Sequence, residues 1–388
     1  MKFTKMSLVA ALLIGSSAFA IENVKVSGDA KLFYSTQDDD QANADASLFN
    51  KKSSIGEAAL TLGLTADLTE GISAGTTLNA ISTLGLYNNL VSGTWTGGVE
   101  DTFWFSEAWM AGTVGKTTGK IGRMQLDTPL VFSETWSIAP NTFEAAVVIN
   151  EDLPDTTLVG TYIGQSSGPA VLGGGIANAT SPFTSFYNGA YAVGAINNSL
   201  EPLTVQAWYY DATQTLTAYW LQADVAVSDF TVGLQYTGEE LKASGSKAQS
   251  AYAAKLGYEM KDTFSASLAY SKVDDAVGLA NVGSNLDGSQ SKLYTEAWWY
   301  YGVISKPDTV AYNFTVTAPV AGYDLGLYLT QATTDNAGTD EDFTEATFEV
   351  AKSFGPLDTG LYYIYTKYDP DNAGDAYNTV QVYLTYNF

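Results

Sequence analysis

The chain ends Thr379-Val380-Gln381-Val382-Tyr383-Leu384-Thr385-Tyr386-Asn387-Phe388. Val380, Val382, Leu384, Tyr386 and Phe388 fall on one face of an extended strand, and Thr379, Gln381, Tyr383, Thr385 and Asn387 on the other. An apolar face that closes on an aromatic carboxyl-terminal residue is the membrane-insertion signature of an outer-membrane barrel strand. The same period of two recurs upstream. Val24, Val26, Gly28, Ala30, Leu32 and Tyr34 oppose Lys25, Ser27, Asp29 and Lys31, and Ala58 to Leu68 alternates with Glu57, Thr61, Thr65 and Asp67. Phe230-Val232-Leu234-Tyr236 and Phe264-Ala266-Leu268-Tyr270 put rings at the ends of the apolar face and smaller apolar residues between. That order suits a lipid-facing band with aromatic girdles at both interfaces.

The amino terminus agrees. Lys2 and Lys5 precede a short apolar run, 6–14, and Ala18-Phe19-Ala20 supplies small residues at the −3 and −1 positions of a signal cleavage site. The run is too short to span a bilayer. Residues 1–20 are therefore read as a secretory signal peptide, and 21–388 as one barrel domain in the outer membrane of a Gram-negative bacterium.

Composition narrows the function. Among 388 residues there is no histidine and no cysteine, 42 acidic residues face 18 basic ones, and Arg123 is the single arginine. The chain has no thiol nucleophile, no imidazole base and no Cys/His zinc site. The net charge of −24 argues against nucleic acid as a partner. Mean hydropathy is −0.02, so bundled membrane helices are excluded as well. The expectation is a non-enzyme.

Short links centred on 69–71, 116–118, 153–155, 198–200, 228–229, 261–262, 319–322 and 355–357 alternate with longer ones. The longer links are 36–52, 85–101, 126–142, 166–187, 237–248, 273–309, 331–342 and 369–376, with a short outer link at 212–214. Counting 298–305 as a strand gives nineteen. Leaving it in the loop gives eighteen, the even number that bacterial barrels require. The expectation is an all-β, transmembrane antiparallel barrel of about 18 strands, with Trp298 to Tyr301 folded onto the barrel mouth.

Gly122-Arg123-Met124-Gln125-Leu126-Asp127-Thr128-Pro129-Leu130, followed by Glu134, Trp136 and Pro140-Asn141-Thr142-Phe143-Glu144, resembles the campylobacter-type major outer membrane porins and, more distantly, the OprD-like porins. The family run is Gly-Arg-Gln-x-Leu-x-Thr-Pro-Leu, then Pro-Asn-Thr-Phe-Glu. Met124 is an insertion in it, and about 25 residues carry the likeness. The resemblance implies a porin, often a homotrimer, whose third loop folds inward to narrow the pore. The residues allow the same reading: 126–142 lacks a strand period and mixes Val131, Phe132, Trp136 and Ile138 with Asp127 and Glu134. An external loop is the alternative. Arg123, Gln125, Asp127, Glu134 and Glu144 are the candidate pore-constriction residues. For Arg123, a cation snorkelling at a strand end remains open.

Small hydrophilic solutes and cations are the expected traffic, because acidic side chains select cations. The other expected partners are outer-membrane lipid, lipopolysaccharide and the barrel-assembly machinery. No cofactor is expected. Acidic clusters at 38–40, 340–342 and 369–375 leave loop-bound calcium open, although Ala373 breaks the EF-hand spacing. The rival function is a non-conducting barrel acting as adhesin or structural anchor, which would need no constriction.

Overall fold

A computed structural model describes residues 21–39, 46–94, 101–136, 138–167, 183–275, 279, 281–336, 339–369 and 376–388. The signal-peptide residues, Ala18 and Ala20 among them, and most of the 369–375 acidic loop lie outside the described residues.

The strands are β1 Glu22–Gln37, β2 Ser54–Thr69, β3 Ile72–Ser82, β4 Asp101–Val114, β5 Thr117–Met124, β6 Phe143–Asn150, β7 Thr156–Ser166, β8 Thr184–Leu200 and β9 Leu203–Ala212. They continue as β10 Leu216–Val227, β11 Phe230–Leu241, β12 Gln249–Met260, β13 Phe264–Val273, β14 Thr309–Val320, β15 Tyr323–Asn336, β16 Thr339–Phe354, β17 Leu357–Asp369 and β18 Tyr377–Asn387. Each pairs antiparallel with the next, and β1 pairs with β18. The sheet therefore closes, and no edge is left open to unpaired backbone groups in lipid.

Register decides which side chain faces where. Val26, Leu60, Leu62, Leu64, Met110, Ile121, Leu234, Leu256, Leu268 and Leu361 are exposed although large and apolar, so this face is the outward one. Tyr191, Tyr209, Tyr236, Tyr252, Tyr312, Tyr363 and Tyr386 share it. Residues of opposite parity line the interior, and directly paired residues share a face.

The closing seam explains the aromatic terminus. The Phe388 N–H donates to Gly28 O at 3.0 Å, and the Gly28 N–H donates back to Phe388 O at 2.9 Å. A Cβ on Gly28 would stand 2.8 Å from the Phe388 ring and 2.1 Å from Thr61 O. The glycine thus vacates the space that the ring takes. Phe388→Ser is expected to lower the amount of assembled barrel in outer-membrane fractions, read as the heat-modifiable band on gels. Unchanged assembly would show that the ring is dispensable.

Two expectations need adjusting. The link drawn at 331–342 is mostly strand: β15 runs to Asn336 and β16 resumes at Thr339, with Asn336 paired to Thr339. The stretch reads as loop because it is polar on both faces, as a ribbon standing clear of lipid can be. Residues 298–305 are indeed not strand, but they do not cap the mouth. They fold into the lumen.

Candidate functional site

A barrel interior is expected to be polar, yet here much of it is packed. Met124, Leu126, Leu130, Val131, Phe143, Ile163, Tyr210, Trp220, Leu293, Val303, Ile304 and Phe343 form one buried cluster. A second joins Phe33, Ala59, Ile81 and Trp104 of β1 to β4 with Ile138 and Ala139. The third outer loop, 125–142, contributes to both. It leaves the wall at β5, lays Leu130 against β9, where its N–H donates to Tyr210 Oη at 3.3 Å, and lands Ile138 and Ala139 on β1 to β4. The loop therefore crosses the lumen.

The seventh outer loop, 274–308, is the second inward element. Its anchors on the wall are mostly carboxylate and amide oxygens. Gly283 N–H donates to Glu239 at 2.8 Å, Tyr294 N–H to Gln235 at 3.0 Å, and Tyr294 Oη to Asp224 at 2.6 Å. Trp299 and Tyr300 N–H donate to Glu345 at 3.0 and 2.8 Å. Carboxylates facing the lumen thus hold a strandless segment by its backbone.

Glu134 joins the two loops. Its Oε1 accepts from Asn285 Nδ2 at 3.0 Å and from the N–H groups of Ser289 and Gln290, each at 2.9 Å. Its Oε2 accepts from Trp136 Nε1 at 2.5 Å. Asn285 also brackets the Phe132 backbone, and Asn141 donates to Asp287 at 2.7 Å. Gly288 leaves room for this carboxylate: a Cβ on it would stand 2.0 Å from Glu134 Oε1 and displace it. Beside this joint, burial pushes the Asp287 carboxyl up to about 6, with hydrogen bonds from Ser166 and Asn141 opposing and the nearby Glu134 adding to the rise. Burial also pushes Glu296 up to about 8, against three backbone donors and with Glu345 adding to it.

The structure separates the five candidate constriction residues. Asp127 lies on the water side, its side chain exposed and ion-paired with Lys292 of the seventh loop. Gln125 donates to Glu107 at 3.3 Å, on the interior face. Glu134 is buried, 1% exposed, and touches loop rather than pore water. Arg123 and Glu144 are a correction. They pair directly across β5 and β6, and Arg123 also stands opposite the exposed Ala108, next to the Met110–Ile121 pair. Ladder parity puts both on the outward face near the outer rim, not in the pore. There the Arg123 Nε donates to Glu144 at 2.9 Å and the guanidinium lies 4.2 Å above the Phe183 ring. The motif marks where the third loop departs, and its one arginine secures the rim.

The seventh loop's role escaped the sequence reading, as did Glu345, Asn285 and Asp287. Its length was a signal, since long loops without secondary structure usually have a function. Among the described residues no cluster of three or more acidic side chains is placed to hold a metal ion.

No protein-family model and no curated protein matches the sequence. Solved structures do match the fold. The structure of Pseudomonas aeruginosa OpdK with vanillate superimposes with a TM-score of 0.75 at 13% identity, covering 96% of this chain and 100% of that one. A BenF-like porin from Pseudomonas fluorescens Pf-5 gives 0.76 at 13%, covering 95% and 99%. OccK8 (OprE) from Pseudomonas aeruginosa gives 0.72 at 15%, covering 96% and 99%. At such identities the likeness is one of fold: a closed eighteen-stranded barrel of the OprD-like porin type.

Proposed function

We propose that the chain is an outer-membrane porin passing small hydrophilic solutes and ions by diffusion, with a preference for cations. One observation carries this reading: two inward loops meet across the lumen at Glu134. A structural anchor or adhesin has no use for such a joint. The campylobacter-type kinship of the 122–144 run belongs to the same reading, as does the homotrimer that it implies.

The cation preference follows from the interior face. Asp29, Asp67, Asp224, Glu259, Asp324 and Asp358 take interior register positions, as do Lys25, Lys31, Lys120 and Lys255. Three of these lysines are occupied, Lys31 by Asp29 at 3.6 Å, Lys120 above Trp109 and Lys255 above Tyr294. Interior position is inferred from pairing parity along each ladder. Fixed carboxylates raise the local cation concentration, an effect screened beyond about 10 Å at 0.1 M salt.

Reversal potentials in a KCl gradient across a planar bilayer test the proposal. Cation preference that weakens at high salt is expected, with each insertion closing in three voltage-driven steps. Asp127→Asn is expected to weaken the preference, while Arg123→Ala, on the outward face, leaves it unchanged. Anion preference, or a barrel that carries no current, would overturn the reading.

A further inference from the structure

A file of seven rings crosses from the third loop to the wall. Trp136 lies 5.9 Å from Tyr301, Tyr301 6.2 Å from Trp299, and Trp299 6.4 Å from Trp298, between ring centroids. Trp298 then stacks on Tyr362 at 4.4 Å with 29° between planes, Tyr362 meets Tyr383 at 5.4 Å, and Tyr383 meets Phe33 at 4.8 Å. The wall is shaped for this. A Cβ on Gly360 would stand 2.7 Å from the Tyr362 ring, and one on Gly326 would stand 2.7 Å from Tyr328. Both tyrosines therefore lie flat over a glycine. Both donate to Glu349, at 3.1 Å from Tyr362 and 2.6 Å from Tyr328.

Among the described residues, hydrogen-bonding groups without partners stand beside the rings. Gln381 pairs in register with Tyr362, which in turn pairs with Glu349. Gln381 is fully buried; its Oε1 accepts from Tyr383 Oη at 3.1 Å, and its Nε2 has no partner. Thr347 and Thr379, in the next row of the same face, are also buried with unpaired hydroxyls. Buried donors and acceptors left unmet are costly, so such a group is a place for a ligand that supplies the missing partners.

We propose that this ring file, with Glu349, Gln381, Thr347 and Thr379 at its foot, is a binding track for neutral hydroxylated solutes, namely saccharides. A sugar ring presents an apolar C–H face to aromatic side chains and hydroxyls at its rim that both donate and accept. Its hydroxyls can donate to a carboxylate such as Glu349 and accept from an amide such as that of Gln381. An organic cation suits the site less well, because Glu349 already receives two tyrosine hydroxyls and the Gln381 amide hydrogens would face the positive charge. This inference rests on the barrel being a pore, and its test keeps the two apart.

Maltose is added to one side of a bilayer holding the open channel in KCl. Concentration-dependent interruption of the ion current is expected. Trp298→Ala and Gln381→Leu are each expected to weaken the block by about tenfold, the factor that goes with losing one buried stacking face or hydrogen bond. Tryptophan fluorescence of the detergent-solubilised barrel is the second readout and does not need conduction: maltose is expected to shift it in the parent and not in Trp298→Phe. A barrel without current but with this shift would end the porin reading and keep the sugar site. Block by tetramethylammonium in place of maltose, equal interruption by polyethylene glycol of similar size, or absence of both block and shift would overturn the sugar site.

Discussion

Glu134→Ala is expected to raise the single-channel conductance severalfold. The side chain is 1% exposed and receives four donors: the Asn285 amide, the Ser289 and Gln290 N–H groups, and the Trp136 indole. Truncation leaves these donors facing a void. Each buried donor left unmet costs about 1–3 kcal/mol, and a shift of about 5.5 kcal/mol is enough to take a two-state equilibrium from 1:99 to 99:1. The loops can escape that cost by leaving the lumen, where water meets the same donors. The barrel ladder contains none of these groups, so the heat-modifiable band should be unchanged. Gly288→Ala is expected to act in the same direction with the carboxylate intact, because its Cβ would stand 2.0 Å from Glu134 Oε1. Parental conductance in both variants would mean that the wall contacts alone hold the loops.

The barrel was legible because lipid and water impose a period of two on each strand, and because closure requires an even count. Parity alone rejected 298–305 as a strand. The departure point of the third loop was legible too, from Pro129, Pro140 and the loss of alternation. Roles within the site were not, for a physical reason. Whether Arg123 faces lipid or pore depends on one step of register, and Ser106 and Glu107 of β4 shift that register by a bulge opposite Thr77 and Leu78. Glu134 reads as a pore charge because isolated carboxylates prefer water. Only the fold brings three donors of the distant seventh loop to join the neighbouring Trp136 indole around it. The lumen-facing Trp208, Tyr210 and Trp220 have the same origin: interior positions tolerate large apolar residues where inward loops cover them.

Rising pH is expected to open the channel, and the sign follows from two carboxyls of the seventh loop. Burial raises Glu296 to about 8 from its ordinary 4.5, and Asp287 to about 6 from 3.8. The docked loop therefore binds protons more tightly than a released, hydrated one. By linkage, docking is fully favoured below the released values and weakens as pH climbs through the docked ones. The neighbours act both ways, the hydrogen-bond donors opposing the rise and the facing carboxylates adding to it, and burial outweighs the donors. Glu296 accepts from the N–H groups of Ser291, Ala297 and Gly302 on its own loop, while Glu345 faces it from β16. Asp287 meets Ser166 of β7 and Asn141 and Glu134 of the third loop. Among the described residues the ion pairs put no cation on any of these four carboxylates: Lys292 pairs with Asp127, and Lys306 with Glu341. Ionising Glu296 thus adds charge to an acidic, enclosed space, and the loop gains by moving to water. Conductance should rise as pH passes from about 6 to above about 8. Glu296→Gln, neutral at every pH, should flatten the upper part of that curve and leave the lower part, which belongs to Asp287. A flat profile in the parent, or one that falls with pH, would show that the loop stays docked whatever its charge.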